Sequence, residues 1–133
     1  MTAASFAEPV VESDARKSSS KVAIVDDNRE MCSIISKMIE HFGWNAPVVM
    51  HEGEEIVNAV KNYKLSPDVI IMDYRLPHMN GIEASRAISR KFPRIKIIVV
   101  TSDESVESEA VSEGFGFLKK PFNFRSFAQS VFS

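Results

Sequence analysis

The chain has 133 residues, 44% hydrophobic and 26% charged, enough to bury about two-thirds of its unfolded surface in one core without disulfide or metal staples. Sixteen Lys and Arg against eighteen Asp and Glu leave a net charge of -2, which argues against a strongly basic nucleic-acid binder. The one cysteine, Cys32, excludes an internal disulfide and fits a reducing cytosol, and no apolar run approaches the roughly 20 residues of a membrane span.

Residues 1–20, MTAASFAEPVVESDARKSSS, are rich in Ser and Ala, hold no sustained period and read as a disordered tail. They lack the basic start and long apolar stretch of a secretory signal. One domain is expected over residues 21–133. Val22 to Val25 is a short apolar run that stops at Asp26 and Asp27, the pattern of a buried parallel strand. Asn28 to Phe42 reads as a helix, with Met31, Ile34, Ile35, Met38, Ile39 and Phe42 as its inner stripe. Asp27 or Asn28 can cap its start, and Gly43 ends it.

Asn45 to Met50 is the second strand, and Glu52 to Tyr63 the second helix, with Ile56, Val57 and Val60 inward. Asp68 to Asp73 is the third strand, apolar between two acids. A loop with Pro77 and the turn pair Asn80-Gly81 leads to a third helix, Ile82 to Phe92, which Pro93 closes. Ile95 to Val100 is the fourth strand, ending at Thr101 and Ser102. Asp103 to Glu113 is an acidic fourth helix that turns Val106, Ala110 and Val111 inward. Phe115 to Leu118 is the fifth strand, followed by Lys119, Lys120 and Pro121, and Phe124 to Phe132 is a short last helix. Five strands alternating with five helices predict an α/β fold, a five-stranded parallel sheet with helices on both faces.

In such a sheet, ligands bind outside the carboxyl ends of the strands. Those ends gather Asp26, Asp27, Asp73, Thr101, Ser102, Lys119 and Lys120. Asp26 or Asp27 alone reads as well as a helix cap, but a cap explains neither Asp73 at the end of an apolar strand nor the lysines beside it. Three converging carboxylates repel one another, and a hard divalent cation such as Mg²⁺ relieves that repulsion. A carboxylate can attack phosphorus and form an aspartyl phosphate, a reaction that needs in-line positioning and cations on the phosphoryl oxygens.

At these residues the chain resembles the response-regulator receiver domain, the phosphoacceptor module of two-component signalling and of chemotaxis regulators. The matching pieces are Val25-Asp26-Asp27-Asn28, Ile70-Ile71-Met72-Asp73 through Pro77 to Gly81, Val99-Val100-Thr101-Ser102, and Phe117-Leu118-Lys119-Lys120-Pro121-Phe122. The resemblance covers all but the tail and implies the flavodoxin-like (βα)5 strand order 2-1-3-4-5. It implies that Asp73 is the phosphorylated residue, and that Asp26, Asp27, Asp73 and the backbone carbonyl of Arg75 bind Mg²⁺. It implies that Thr101 and Lys120 contact the phosphoryl group, that the Lys120–Pro121 peptide is cis, and that Phe117 is the switching aromatic. The phosphoryl donor would be a histidine kinase or phosphotransfer protein. The readout surface would be helix 4, strand 5 and helix 5, facing a downstream protein target, with a monomer or a weak phosphorylation-linked dimer as the assembly. Phosphorylation and autodephosphorylation would be self-catalysed in the cytoplasm, with no turnover of an external substrate, no direct nucleic acid and no membrane. Nothing in residues 21–133 is left over for an output domain, so output is expected through protein contact.

Arg75 and Asp103 lie two residues after Asp73 and Thr101, carry opposite charges, and are expected to pair across the site and modulate the life of the phosphate. The loop has His78 and Asn80 where the family often has Met-Pro-x-Met-Asp-Gly; His41, His51 and His78 have no paired spacing and make no zinc site. Six of the nine Phe residues fall at or after Phe115, mostly as expected core. A degenerate receiver acting only as an interaction module is the alternative, and the complete Asp26, Asp27, Asp73, Thr101 and Lys120 set argues against it. A haloacid-dehalogenase-like phosphatase would want a second Asp where Arg75 stands. A flavodoxin-type phosphate loop would be repelled by Asp26 and Asp27.

Overall fold

A computed structural model describes residues 21–132; the segment read as a tail, residues 1–20, lies outside the described residues. Strands β1 (Val22–Val25), β2 (Val48–Met50), β3 (Val69–Asp73), β4 (Lys96–Thr101) and β5 (Gly116–Lys119) alternate with helices α1 (Arg29–His41), α2 (Gly53–Lys61), α3 (Gly81–Lys91), α4 (Glu107–Ser112) and α5 (Phe124–Val131). All strand pairs are parallel, in the order β2-β1-β3-β4-β5. The fold class and strand order match the expectation.

The strand period of two divides the core between the faces of the sheet. Ala23, Val25, Ile70, Met72, Ile97 and Val99 pack with Ile56, Val60, Ile82 and Ala110 of α2, α3 and α4. Val22, Ile24, Val69, Ile71, Ile98 and Val100 pack with Ile35 and Ile39 of α1 and Phe127 and Val131 of α5. Around α5, Phe42 stacks on Phe132 with ring centroids 3.8 Å apart, and Trp44 meets the same ring edge-on at 4.6 Å. Of the late phenylalanines, Phe115 and Phe127 are buried, and Phe117, Phe122, Phe124 and Phe132 are half-buried.

Four expectations are corrected. Ile34 is 42% exposed, because the buried line of α1 is Cys32, Ile35 and Ile39 and Ile34 falls beyond its edge. Val111 is 56% exposed, and of the fourth helix only Val106 and Ala110 turn inward. That helix is also broken: Asp103 caps a 3₁₀ turn over Glu104–Val106 before α4 begins. The second strand starts at Val48 rather than Asn45, just after Pro47, which has no N–H to give a ladder; β2 is an edge strand paired only with β1.

Candidate functional site

Register brings the site together. Val25 pairs with Met72, so the next residues, Asp26 and Asp73, end adjacent strands at one level. Asp73 pairs with Val100, and Thr101 follows it and pairs with Lys119. The Lys120 N–H then donates to the Thr101 carbonyl at 2.9 Å, and the Lys120–Pro121 peptide is cis. The chain leaves β1 toward β2 on one side and returns to β3 on the other, so Asp26 and Asp73 border the crevice where strand order switches.

The β1–α1 turn is tied down at several points. Asn28 is the cap of α1, its Oδ1 accepting the Met31 N–H at 3.0 Å. The Asn28 N–H donates to Asp26 Oδ1 at 2.9 Å. The Asp26 carbonyl accepts from the Cys32 thiol at 3.3 Å and from the His51 ring nitrogen Nδ1 at 2.8 Å. On the other side, Asn80 and Glu83 form a reciprocal cap at the start of α3. Gly81 lies so close to β3 that a Cβ on it would sit 2.2 Å from the Asp73 carbonyl oxygen. Here glycine is required by the backbone approach that carries the chain past Asp73.

Carboxylate oxygens of Asp26, Asp27 and Asp73 lie within 4.8 Å of one another, with Asp26 and Asp73 buried and Asp27 exposed. Lys120 Nζ donates to Asp73 Oδ1 at 3.1 Å and to Asp26 Oδ2 at 3.3 Å. One ammonium against three carboxylates leaves the cluster negative. Burial, then the Asp26 charge, push the Asp73 carboxyl up to about 6, and contact with Lys120 only partly opposes them. Burial pulls the Lys120 ammonium down, but Asp73 and Asp26 together outweigh it and hold the group above its ordinary value. The two shifts agree: the lysine is firmly charged, and its charge is too little for the acids around it. A cluster of hard oxygen donors with uncompensated negative charge fits a hard divalent cation such as Mg²⁺.

Thr101 is buried, and its Oγ1 accepts the Asp103 N–H at 3.2 Å. Arg75 Nη2 lies 3.3 Å from Asp103 Oδ2, so these two charges do meet beside the site. Asp103 Oδ1 also accepts from the Ser105 hydroxyl at 2.6 Å and the Ser105 N–H at 3.0 Å; these bonds, more than Arg75, hold its carboxyl below the ordinary range. Lys119 turns away from the cluster and pairs with Glu104 at 2.6 Å. Phe117 packs half-buried against the core on the α2–α4 face, and Pro121 is exposed. Cys32 is buried beside Asp26, and burial raises its thiol above the ordinary value. Sequence reasoning missed His51 as a neighbour of the site, since its 25-residue separation from Asp26 is bridged only by the β1–β2 pairing. A polar residue directly after a parallel strand was the signal available.

Residues 22–132 match the family model described as "Response regulator receiver domain". The chain is 36% identical over 106 residues to the chemotaxis protein CheY of Thermotoga maritima, covering 77% of this chain and 86% of that protein. It is 33% identical over 103 residues to a putative two-component response regulator of Arabidopsis thaliana, covering 75% of this chain but only 18% of the plant protein's length. Among solved structures, a chemotaxis response regulator of Vibrio cholerae superposes with a TM-score of 0.72 at 29% identity, over 83% of this chain and 93% of that one.

Proposed function

This chain belongs to the response regulator receiver domain family, and on that premise we propose that it accepts a phosphoryl group from a histidine kinase or phosphotransfer protein onto Asp73. The single observation that carries the reading is the buried Asp73 carboxylate at the switch crevice, beside Asp26, Asp27 and Lys120. An oxygen of Asp73 attacks phosphorus in line. The P–N bond of the donor's phosphohistidine breaks, its electron pair stays on the imidazole nitrogen, and a mixed anhydride forms on Asp73. Mg²⁺, held by Asp26, Asp27, Asp73 and the Arg75 carbonyl, would supply positive charge to the phosphoryl oxygens.

Lys120 is already bonded to the acceptor oxygen and would follow the charge onto the phosphoryl group. The Thr101 hydroxyl accepts from Asp103, so its own proton is available to a phosphoryl oxygen. Drawing Thr101 inward would let Phe117 follow and shift the α4–β5–α5 face toward a form that a downstream protein target reads. The Arg75–Asp103 pair would shield the anhydride from water and lengthen its life. Among the described residues no helix is long and apolar enough to cross a membrane. We read the site of action as cytoplasmic, consistent with the free thiol of Cys32, and the assembly as a monomer or a phosphorylation-linked weak dimer.

The test is to incubate the chain with Mg²⁺ and acetyl phosphate and weigh it intact. Gain of one phosphoryl group, absent in Asp73→Asn, is expected, as are beryllofluoride-induced NMR shifts at Thr101 and Phe117. No mass gain and no beryllofluoride response would leave the phosphorylation-independent interaction module as the better reading.

A further inference from the structure

His51 follows β2, and both of its ring nitrogens are engaged. Nδ1 lies 2.8 Å from the Asp26 carbonyl oxygen, and Nε2 lies 3.1 Å from Arg29 Nη1. A carbonyl only accepts and a guanidinium only donates. Nδ1 is therefore the donor to the Asp26 carbonyl, and the Arg29 guanidinium borders the other side of the ring. The backbone of His51 is fixed as well: its N–H donates at 3.0 Å to Glu55 Oε1, which also accepts from the Glu52 N–H at 3.1 Å. A stiff bridge thus runs from the start of α2, through the imidazole, to the peptide that joins Asp26 to Asp27. Among the described residues that carbonyl has one other partner, the weak Cys32 thiol donor at 3.3 Å.

We infer that His51 is a positioning residue for the cation site, fixing the Asp26–Asp27 peptide so that both carboxylates converge with Asp73. The inference rests on the reading of those three acids as the cation site. Asp27 is the exposed member of the three, and it follows directly on the Asp26 carbonyl that His51 holds. Its direction depends on the peptide plane before it, which the imidazole holds. Residues that orient the ligands of a metal typically change its affinity by 10–100-fold when removed.

The experiment uses the full chain. Calorimetric titration with Mg²⁺ should show His51→Leu binding about tenfold more weakly than wild type. His51→Asn keeps an N–H near the place of Nδ1 and should recover most of that loss. Independently of any metal, ¹⁵N NMR of the wild-type ring should show a proton on Nδ1 engaged with the Asp26 carbonyl. Wild-type affinity in His51→Leu, an equal loss in His51→Asn, or an Nδ1 that carries no proton would each overturn the inference. A wild-type chain that binds no Mg²⁺ would instead overturn the cation reading itself, and this inference with it.

Discussion

Two residues apart on β3, Ile71 and Asp73 are almost equally buried, at 2% and 6% exposure, and stand in opposite physical situations. Ile71 pairs with Ile24 on one side and Ile98 on the other, in the middle of an apolar cluster that α1 and α5 cover. Its burial stabilises the fold and asks nothing of its neighbours. Asp73 is buried among acids, with a single ammonium to share, and its carboxyl is pushed up to about 6. Asp26 and Thr101, also buried and polar, end the two strands that flank β3. The sheet middle therefore contributes stability while its carboxyl end holds groups that oppose it, as is common where a site needs charge that a core would not choose.

Cutting the middle should have the largest effect. Ile71→Ala removes a buried branched side chain between two isoleucine neighbours and should cost about 3 kcal/mol in urea unfolding, within the range for such truncations. A loss below about 1 kcal/mol would mean that the middle of the sheet is not where stability resides.

Relieving the end should have the opposite sign and a smaller size. The folded state holds the Asp73 proton more tightly than the unfolded chain, whose carboxyl titrates near 3.8. Metal-free stability should therefore fall as pH rises from about 4 to about 6, with the full penalty present above pH 6 and none below pH 4. Asp73→Asn keeps an oxygen for Lys120 and loses the charge. It should stabilise the metal-free chain by about 2 kcal/mol at neutral pH, after allowing for the weakened contact with Lys120. The gain should vanish as pH falls through 6 toward 4. A destabilised variant at pH 7, or a gain independent of pH, would sink this account.

The same contrast explains what the sequence reveals. The middle is written in runs such as Val69-Ile70-Ile71-Met72, which leave few options beyond a buried strand, and the acids that stop them mark the strand ends. Given five such runs, register alone brings Asp26, Asp73 and Thr101 together. What sequence leaves open is side-chain aim and partnership across long separations. The apolar stripe of α1 is wide, and hydropathy ranks Ile34 above Cys32, yet the sheet meets Cys32. Val111 is apolar and adjacent to Ala110, but on a helix neighbours in sequence point about 100° apart and only one faces the core. Arg86 of α3 bonds Glu113 near the end of α4 at 2.8 Å through Nε, a pairing that depends on how two helices lie side by side.

The smallest effect belongs to the rim of the site, and there the readout must be a rate. Arg75 is 69% exposed in its side chain and Asp103 32%, so their 3.3 Å contact is screened by solvent and adds little to folding. The contact nevertheless joins the loop after Asp73 to the loop after Thr101, beside the proposed acceptor. On the proposed reading, water approaching phosphorus would cross this rim, and the guanidinium held by Asp103 would narrow the approach. Arg75→Ala should leave the unfolding midpoint unchanged and shorten the life of the phosphorylated chain by about threefold, the scale an exposed ion pair can contribute. Asp103→Asn should shorten it too, because the guanidinium then loses the anchor that keeps it at the rim. Raising the ionic strength should shrink both differences. Decay that is unchanged or slower in Arg75→Ala would show that the pair is only two solvated loop charges and would break the contrast between rim and buried acids.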